Sequence, residues 1–280
     1  MNKAVKYSLS ALVVIGIGVG GYYAFNGGAD RSKTVTVGVV GTSDKDTKIW
    51  DTVKKEAKDK YNLTVKTKEF TDWNQPNKTV ANGEIDANAF QTQDFLNQYN
   101  KANGNKLTSA GKTIITPLRL YSKKVNSVDE IKNGATIAIS NDAANEARGL
   151  KLLQSVGLIK LDSGKSLAQV KDITSNPKNL KLKEVDGSQT ARSLDSIDAA
   201  VVNGGFASSS KLSLKYSLFK EELNKDTEPY INVIAIAKEN KDKQEYKDLV
   251  KAYQTKSVKQ QINKAYGQFE IPAWDLKLSD

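Results

Sequence analysis

"GATIAISNDAANEARGLKLLQSVGLIKL", residues 134–161, carries the reading that decides the fold. "ATIAIS" is a short apolar run rich in β-branched residues and reads as a buried strand. Asn141 or Asp142 can cap the helix that follows, and Ala143, Ala144, Glu146, Ala147 and Leu150 favour it. Gly157 stops it. A buried strand feeding directly into a helix is the repeating unit of parallel α/β layers. Arg148 stands out in this helix. In the first turns a cation meets the positive end of the helix dipole, where an acidic residue would be expected.

The same rhythm extends in both directions. On the N-terminal side "TVTVGVV" (34–40) is a buried strand, and residues 46–61 place Ile49, Val53, Ala57 and Tyr61 at helical spacing. "LTVKTKEF" alternates as a second strand and "EIDANAF" ends as a third. "TIITPLRLYSKKV" (113–125) is a long extended run broken by Pro117, and Ser127 to Glu130 forms an S-x-x-E capping box before an expected short helix. On the C-terminal side "LKLKEV", "SQTARSLDS" and "IDAAVVNGG" repeat strand, helix, strand. "EPYINVIAIA" (228–237) is another extended run, and helical, lysine-rich segments are expected from there to the C-terminus. Two α/β lobes joined by two extended crossings follow, with residues 34–118 plus 231–280 in one lobe and 119–230 in the other. In such sheets ligands bind at the carboxyl ends of strands. "VGTSD", "ISNDAANEAR" and "VVNGGFA" lie at such ends.

Composition narrows the chemistry. The chain has 280 residues, enough for two domains, with 39% hydrophobic and 26% charged residues. It contains no Cys and no His. Disulfides, thiolate metal sites, imidazole ligands, Ser–His triads and HExxH zinc sites are therefore excluded, and no cofactor or metal is expected. The net charge of +10 comes from lysines scattered along the chain rather than gathered in one arm. That distribution does not indicate a nucleic-acid groove. It suits a solvated surface, or one facing a polyanionic wall or anionic lipid.

The N-terminus bears on location. Lys3 and Lys6 precede "YSLSALVVIGIGVGGYYAF", Tyr7 to Phe25, which carries no charge. A helix of that length spans roughly 28 Å, close to the ~30 Å hydrocarbon core. Residues 1–33 read as a membrane anchor and linker that leave the bulk of the chain outside the cytoplasm. The competing reading is a cleaved signal peptide with a small-residue site at Gly27 and Ala29.

"EIDANAFQTQDFL", the 134–161 stretch, "DAAVVNGGFA" and "EPYINVIAIA" together closely resemble the NlpA/MetQ family of methionine-binding lipoproteins. The resemblance covers roughly residues 34–280. It implies a two-lobed periplasmic-binding-protein-like fold of type II, with two hinge crossings. It also implies an extracytoplasmic substrate-binding protein of an ABC importer, not an enzyme, that works with permease and ATPase subunits. L-Methionine, a related amino acid or a short methionine peptide would be captured between the lobes.

By the same resemblance, Arg148 grips the ligand carboxylate, Asn203 and Asn232 bond its polar end, and Asn145 belongs to the same block. Trp73, Phe90 and Phe95 correspond to aromatic pocket positions. The bland alternatives are an Arg148 paired with Glu146 or another acid, Asn side chains serving turns, and aromatics packed in a core. Thr92 departs from the family's usual F-Q-H, which suggests a reshaped pocket. The lipobox cysteine is also missing. A cell-surface adhesin or wall-binding protein that keeps this fold is the rival function. Replacing Arg148 is expected to abolish binding and leave the ligand-free stability unchanged, because it relieves a dipole repulsion of about 0.3–1 kcal/mol.

Overall fold

The computed structural model describes residues 33–267 and 269–279. The N-terminal segment read as an anchor or signal lies outside these residues. Among the described residues no helix is long and apolar enough to cross a membrane.

Chain order begins with β1 (Lys33–Val40), α1 (Asp44–Tyr61), β2 (Leu63–Phe70), α2 (Gln75–Ala81), β3 (Ala87–Thr92), α3 (Gln93–Ala102) and β4 (Leu107–Lys112). Ser43 and Asp46 close a capping box on α1, so the helix starts slightly before the apolar periodicity does. Asn62, with φ of 48°, ends it. After the two-residue β5 (Ile114–Ile115) come β6 (Arg119–Tyr121), β7 (Thr136–Ser140), α4 (Ala143–Ser155), β8 (Lys160–Leu161) and β9 (Ile173–Ser175). Then follow β10 (Lys181–Val185), α5 (Gly187–Ser193), β11 (Ala199–Val202), α6 (Gly204–Ser209) and β12 (Ser217–Lys220). The chain finishes with β13 (Asn232–Ala237), α7 (Gln244–Tyr253), α8 (Lys256–Tyr266) and β14 (Ile271–Pro272).

Two five-stranded sheets result, in the orders β2-β1-β3-β13-β4 and β10-β7-β11-β6-β12. β1 runs parallel to β3, and β7 parallel to both β10 and β11. Helices cover both faces of each sheet, so the central strands are apolar on both sides. In the first, Val35, Val37, Ile49, Val53, Leu249 and Ile262 pack on one face, and Phe70, Val80, Leu96, Leu107 and Val233 on the other. In the second, Ile137 and Ile139 meet Leu150 and Leu153, whereas Ala138 between them faces Ala191 and Phe206. That alternation is the two-residue period of a strand buried on both faces.

The chain passes from the first sheet to the second through residues 113–118 and returns through 221–231. The return differs from the extended run expected at 228–237. Residues Lys225–Tyr230 wind into a 3-10 turn, with Pro229 inside it and Thr227 bonded to Asn224. Only Asn232 onward is strand.

The S-x-x-E motif at 127–130 forms no helix. Glu130 Oε2 accepts the N–H of Asn126 (2.9 Å), and the N–H of Ile131 bonds the carbonyl of Val128 (3.2 Å) to make a turn that buries Ile131. The seven residues before Gly134 are too few to propagate a helix once Ile131 must turn inward.

The C-terminus also departs from the helical expectation. Beyond α8 the chain lies along both crossings. β14 pairs antiparallel with β5, the N–H of Ala273 bonds the carbonyl of Thr113 (2.9 Å), and the N–H of Lys225 bonds that of Ser279 (3.0 Å). Ile115, Ile231 and Ala273 form a small core at the junction.

Candidate functional site

A cavity of ≈ 150 Å³ lies at the carboxyl ends of β1, β3, β7 and β11, between the two lobes. That volume holds on the order of ten water-sized groups, the scale of one small ligand. Trp73, Phe90, Thr92, Phe95, Asn145, Arg148, Asn203 and Asn232 all line it. The order of strands accounts for their convergence. Register puts Asn232, at the start of β13, opposite Thr92 at the end of β3. Asn145 and Arg148 come from the start of α4 and Asn203 from the N-cap of α6.

Arg148 is 4% exposed and has partners that local sequence does not reveal. Its Nε donates to Glu221 Oε1 (2.9 Å), and its Nη2 donates both to Glu221 Oε2 and to the carbonyl of Thr116 (3.0 Å). The guanidinium carbon lies 4.3 Å from the centre of the Tyr230 ring, within cation–π range. Glu221 Oε2 also accepts the N–H of Leu118 (3.0 Å). Arg148 therefore ties residues 116–118 of the first crossing to Glu221 and Tyr230 of the second. Its Nη1 has no hydrogen-bond partner among the described residues, and the side chain borders the cavity.

Arg148 does pair with an acid, as the bland alternative held, but the acid is Glu221. Glu146 instead accepts the N–H of Val170 (3.0 Å), and burial, its leading influence, raises its carboxyl pKa. One expectation is corrected: Arg148 is not a spare cation whose loss would leave the ligand-free stability unchanged. It is the buried counterion of Glu221, which is only 11% exposed.

The amides form a chain. Ser140 Oγ donates to Asp142 Oδ2, Asn145 Nδ2 donates to the same carboxylate, and Asn203 Nδ2 donates to Asn145 Oδ1 (2.6 Å). These bonds hold both amide side chains in place on the cavity lining. Beside them, Asn77, Asn88 and Gln91 make a fully buried and mutually bonded amide cluster that steadies the end of β3.

The aromatics form a continuous wall. Phe90 meets Phe95 edge to face (5.8 Å), Phe95 meets Trp73 (6.0 Å), and Trp73 stacks on Phe206 at 4.4 Å. Trp73 belongs to the first lobe, and Phe206 follows β11 in the second. A methyl at Gly187 would lie 2.8 Å from Trp73 Cζ3 and 3.0 Å from Phe206 Cε2. Because that strain falls on an interlobe contact, Gly187→Ala is expected to leave each lobe folded and weaken ligand binding by tenfold or more, about 1–3 kcal/mol. Calorimetry beside a denaturation curve checks this, and equal loss in both would place the strain inside one lobe.

Thr92 proves to be an N-cap. Its Oγ1 accepts the N–H of Phe95 (3.1 Å) at the start of α3. Thr92→His should therefore lose about 1 kcal/mol of stability through the cap, in addition to filling part of the cavity. Chemical denaturation of the two forms measures the first effect, and Thr92→Ser, which keeps a capping hydroxyl, should lose little.

Residues 35–274 match the NlpA lipoprotein family. D-Methionine-binding lipoprotein MetQ of Salmonella typhi is 42% identical over 244 residues, 86% of this chain and 88% of that one. Among solved structures, the substrate binding protein of a methionine transporter from Streptococcus pneumoniae is 44% identical. It has a TM-score of 0.81 and covers 86% of this chain and 96% of its own. A nutrient binding protein from Burkholderia cenocepacia bound to methionine is 41% identical. Its TM-score is also 0.81, with coverage of 85% and 99%.

The chain belongs to the NlpA lipoprotein family. Its fold is the two-lobed, type II periplasmic-binding-protein-like arrangement. The sequence contains no cysteine. Among the described residues no group of three or more His, Cys, Asp or Glu could hold a metal ion.

Reading the sequence missed Thr116, Glu221, Tyr230, Phe206, Asp46 and Glu270. Phe206 alone carried a signal, being part of the "VVNGGFA" strand end. Asp46 comes from the first turn of α1, Thr116, Glu221 and Tyr230 from the two crossings and Glu270 from the C-terminal tail, and nothing local marks any of them as part of a site.

Proposed function

We propose that this NlpA family protein captures methionine in the interlobe cleft and delivers it to the permease and ATPase subunits of an ABC importer. The observation that carries this reading is Arg148. Its Nε and Nη2 are occupied by Glu221 and Thr116, while Nη1 remains available beside the cavity. A ligand carboxylate at that position would complete the guanidinium's donor set with a charge-assisted hydrogen bond. Asn203 and Asn232 supply amide groups at the same end, and Trp73, Phe90 and Phe95 offer an apolar wall for a thioether, whose sulfur interacts favourably with aromatic rings. The role is binding without turnover.

The relatives' names support methionine, since one is described as D-methionine-binding and another as bound to methionine. On this reading the lobes comprise residues 34–118 plus 231–280, and 119–230, and they open about the two crossings to admit ligand. The protein works outside the cytoplasm, with residues 1–33 as its tether to the membrane in place of a lipid.

Mass spectrometry of small molecules released on denaturing the purified protein tests this. Methionine is the expected species, and calorimetry with the L and D forms then ranks them. A released ligand without a carboxylate, or no methionine binding after refolding, would overturn the reading.

A further inference from the structure

Glu270 is a buried carboxyl with an unfilled requirement. It is 5% exposed and lines the same cavity as Arg148, and neither of its carboxyl oxygens has a hydrogen-bond partner among the described residues. Buried polar groups are ordinarily satisfied, so a carboxyl that meets only the cavity is open to a donor arriving there. The groups that act on it come from the elements packed around the tail. Asp46 and Lys45 lie in the first turn of α1, Tyr253 at the end of α7 and Tyr266 at the end of α8.

None of these neighbours neutralises it. Lys45 Nζ sits 5.0 Å from the centre of the Tyr266 ring. Asp46, also on the cavity wall, accepts from Tyr266 Oη (2.8 Å) and from the N–H and Oγ of Ser43. The cavity lining therefore carries one guanidinium and two carboxyl groups.

We infer that Asp46 and Glu270 form a subsite for a primary ammonium group of the ligand. This rests on the proposed cleft binding and narrows its substrate class to zwitterions, whether a free amino acid or the N-terminus of a dipeptide. The ammonium would give Glu270 the donor it lacks and would balance the charge of Asp46. Burial, reinforced by Asp46, pushes the unliganded Glu270 carboxyl up to about 8. At about pH 7 a cation arriving beside it should therefore displace its proton. Ligand binding should release that proton to solvent.

Calorimetry at about pH 7 in two buffers of different ionisation enthalpy tests this on the full-length protein. The probes are L-methionine, glycyl-L-methionine, the desamino analogue lacking the ammonium, and the decarboxylated analogue lacking the carboxylate. Wild type should bind an ammonium-bearing ligand at least tenfold more tightly than the desamino analogue and release a proton. Glu270→Gln and Asp46→Asn should each lose most of that preference, and Glu270→Gln should abolish the proton release. The tighter of methionine and its dipeptide identifies the source of the ammonium. A second readout on wild type alone is the carbon-13 titration of the Glu270 carboxyl, which should shift to lower pH when ligand saturates.

Methionine binding with no preference over the desamino analogue, or with the preference intact in Glu270→Gln, would overturn the subsite while leaving methionine capture standing. Binding of the decarboxylated analogue with proton release but no binding of methionine would support the subsite and overturn methionine capture. No binding of any probe would overturn both.

Discussion

Arg148→Ala will destabilise the ligand-free protein by about 3–5 kcal/mol and abolish methionine binding in the same variant. The first effect arises because the substitution strands Glu221, 11% exposed, without its counterion. It also removes the donor to the Thr116 carbonyl and the cation over Tyr230. Urea denaturation without ligand measures the first effect, and calorimetry on the fraction that remains folded measures the second. The double variant Arg148→Ala/Glu221→Gln should recover much of the stability, because a neutral amide costs less to bury than an orphaned carboxylate, and should recover none of the binding. Arg148→Lys should restore both only in part, since a point charge cannot reproduce the planar fork that meets Glu221. A single variant that stays as stable as wild type would mean that the ion pair contributes nothing to the fold.

The second large effect is a dependence of stability on pH set by Glu270. Burial and Asp46 hold its folded carboxyl near 8, against an ordinary value of 4.5. Below the ordinary value both folded and unfolded chains carry the proton, and the advantage of the folded state is complete. As pH rises from there the unfolded chain releases the proton while the folded one retains it. Stability therefore falls, by up to about 1.4 kcal/mol per pH unit, until the folded carboxyl itself ionises near 8. With no histidine in the chain, few other groups titrate in that window, although the raised carboxyl of Glu146 acts with the same sign. Melting temperatures of ligand-free protein from about pH 5 to 8.5 should decline accordingly. Glu270→Gln should flatten most of the slope and be the more stable form at the alkaline end. A wild-type curve that rises or stays level across this window would show that Glu270 is solvated or paired.

Much of this architecture could be read in the chain. The β-branched runs at 34–40 and 136–140, the caps at their ends and the apolar spacing of Ile49, Val53 and Ala57 are local signals, and each element formed where its signal lay. The strand ends that carry Asn203 and Arg148 were legible for the same reason: a strand followed directly by a helix must present its turn at the carboxyl edge of a sheet. The family resemblance then supplied the identities of the wall residues, including Trp73 and Phe90.

Local signals failed where the deciding contact is distant in sequence. Ser127 and Glu130 have the spacing of a capping box, yet burial of Ile131 turned the segment instead. Thr92 looked like space left by a missing ring, but its hydroxyl caps α3. Arg148 looked like a cation misplaced near a helix N-terminus; what makes it stable is a carboxylate 73 positions away. Glu270 reaches the cavity only because the C-terminal tail pairs with β5 across the hinge. Periodicity, caps and turns depend on neighbours within one or two turns of chain, so the sequence by itself determined the elements, their α/β order and the strand ends where a site could form. Which charges share a buried cavity depends on how two sheets and a returning tail are packed together, and tertiary structure alone decided that.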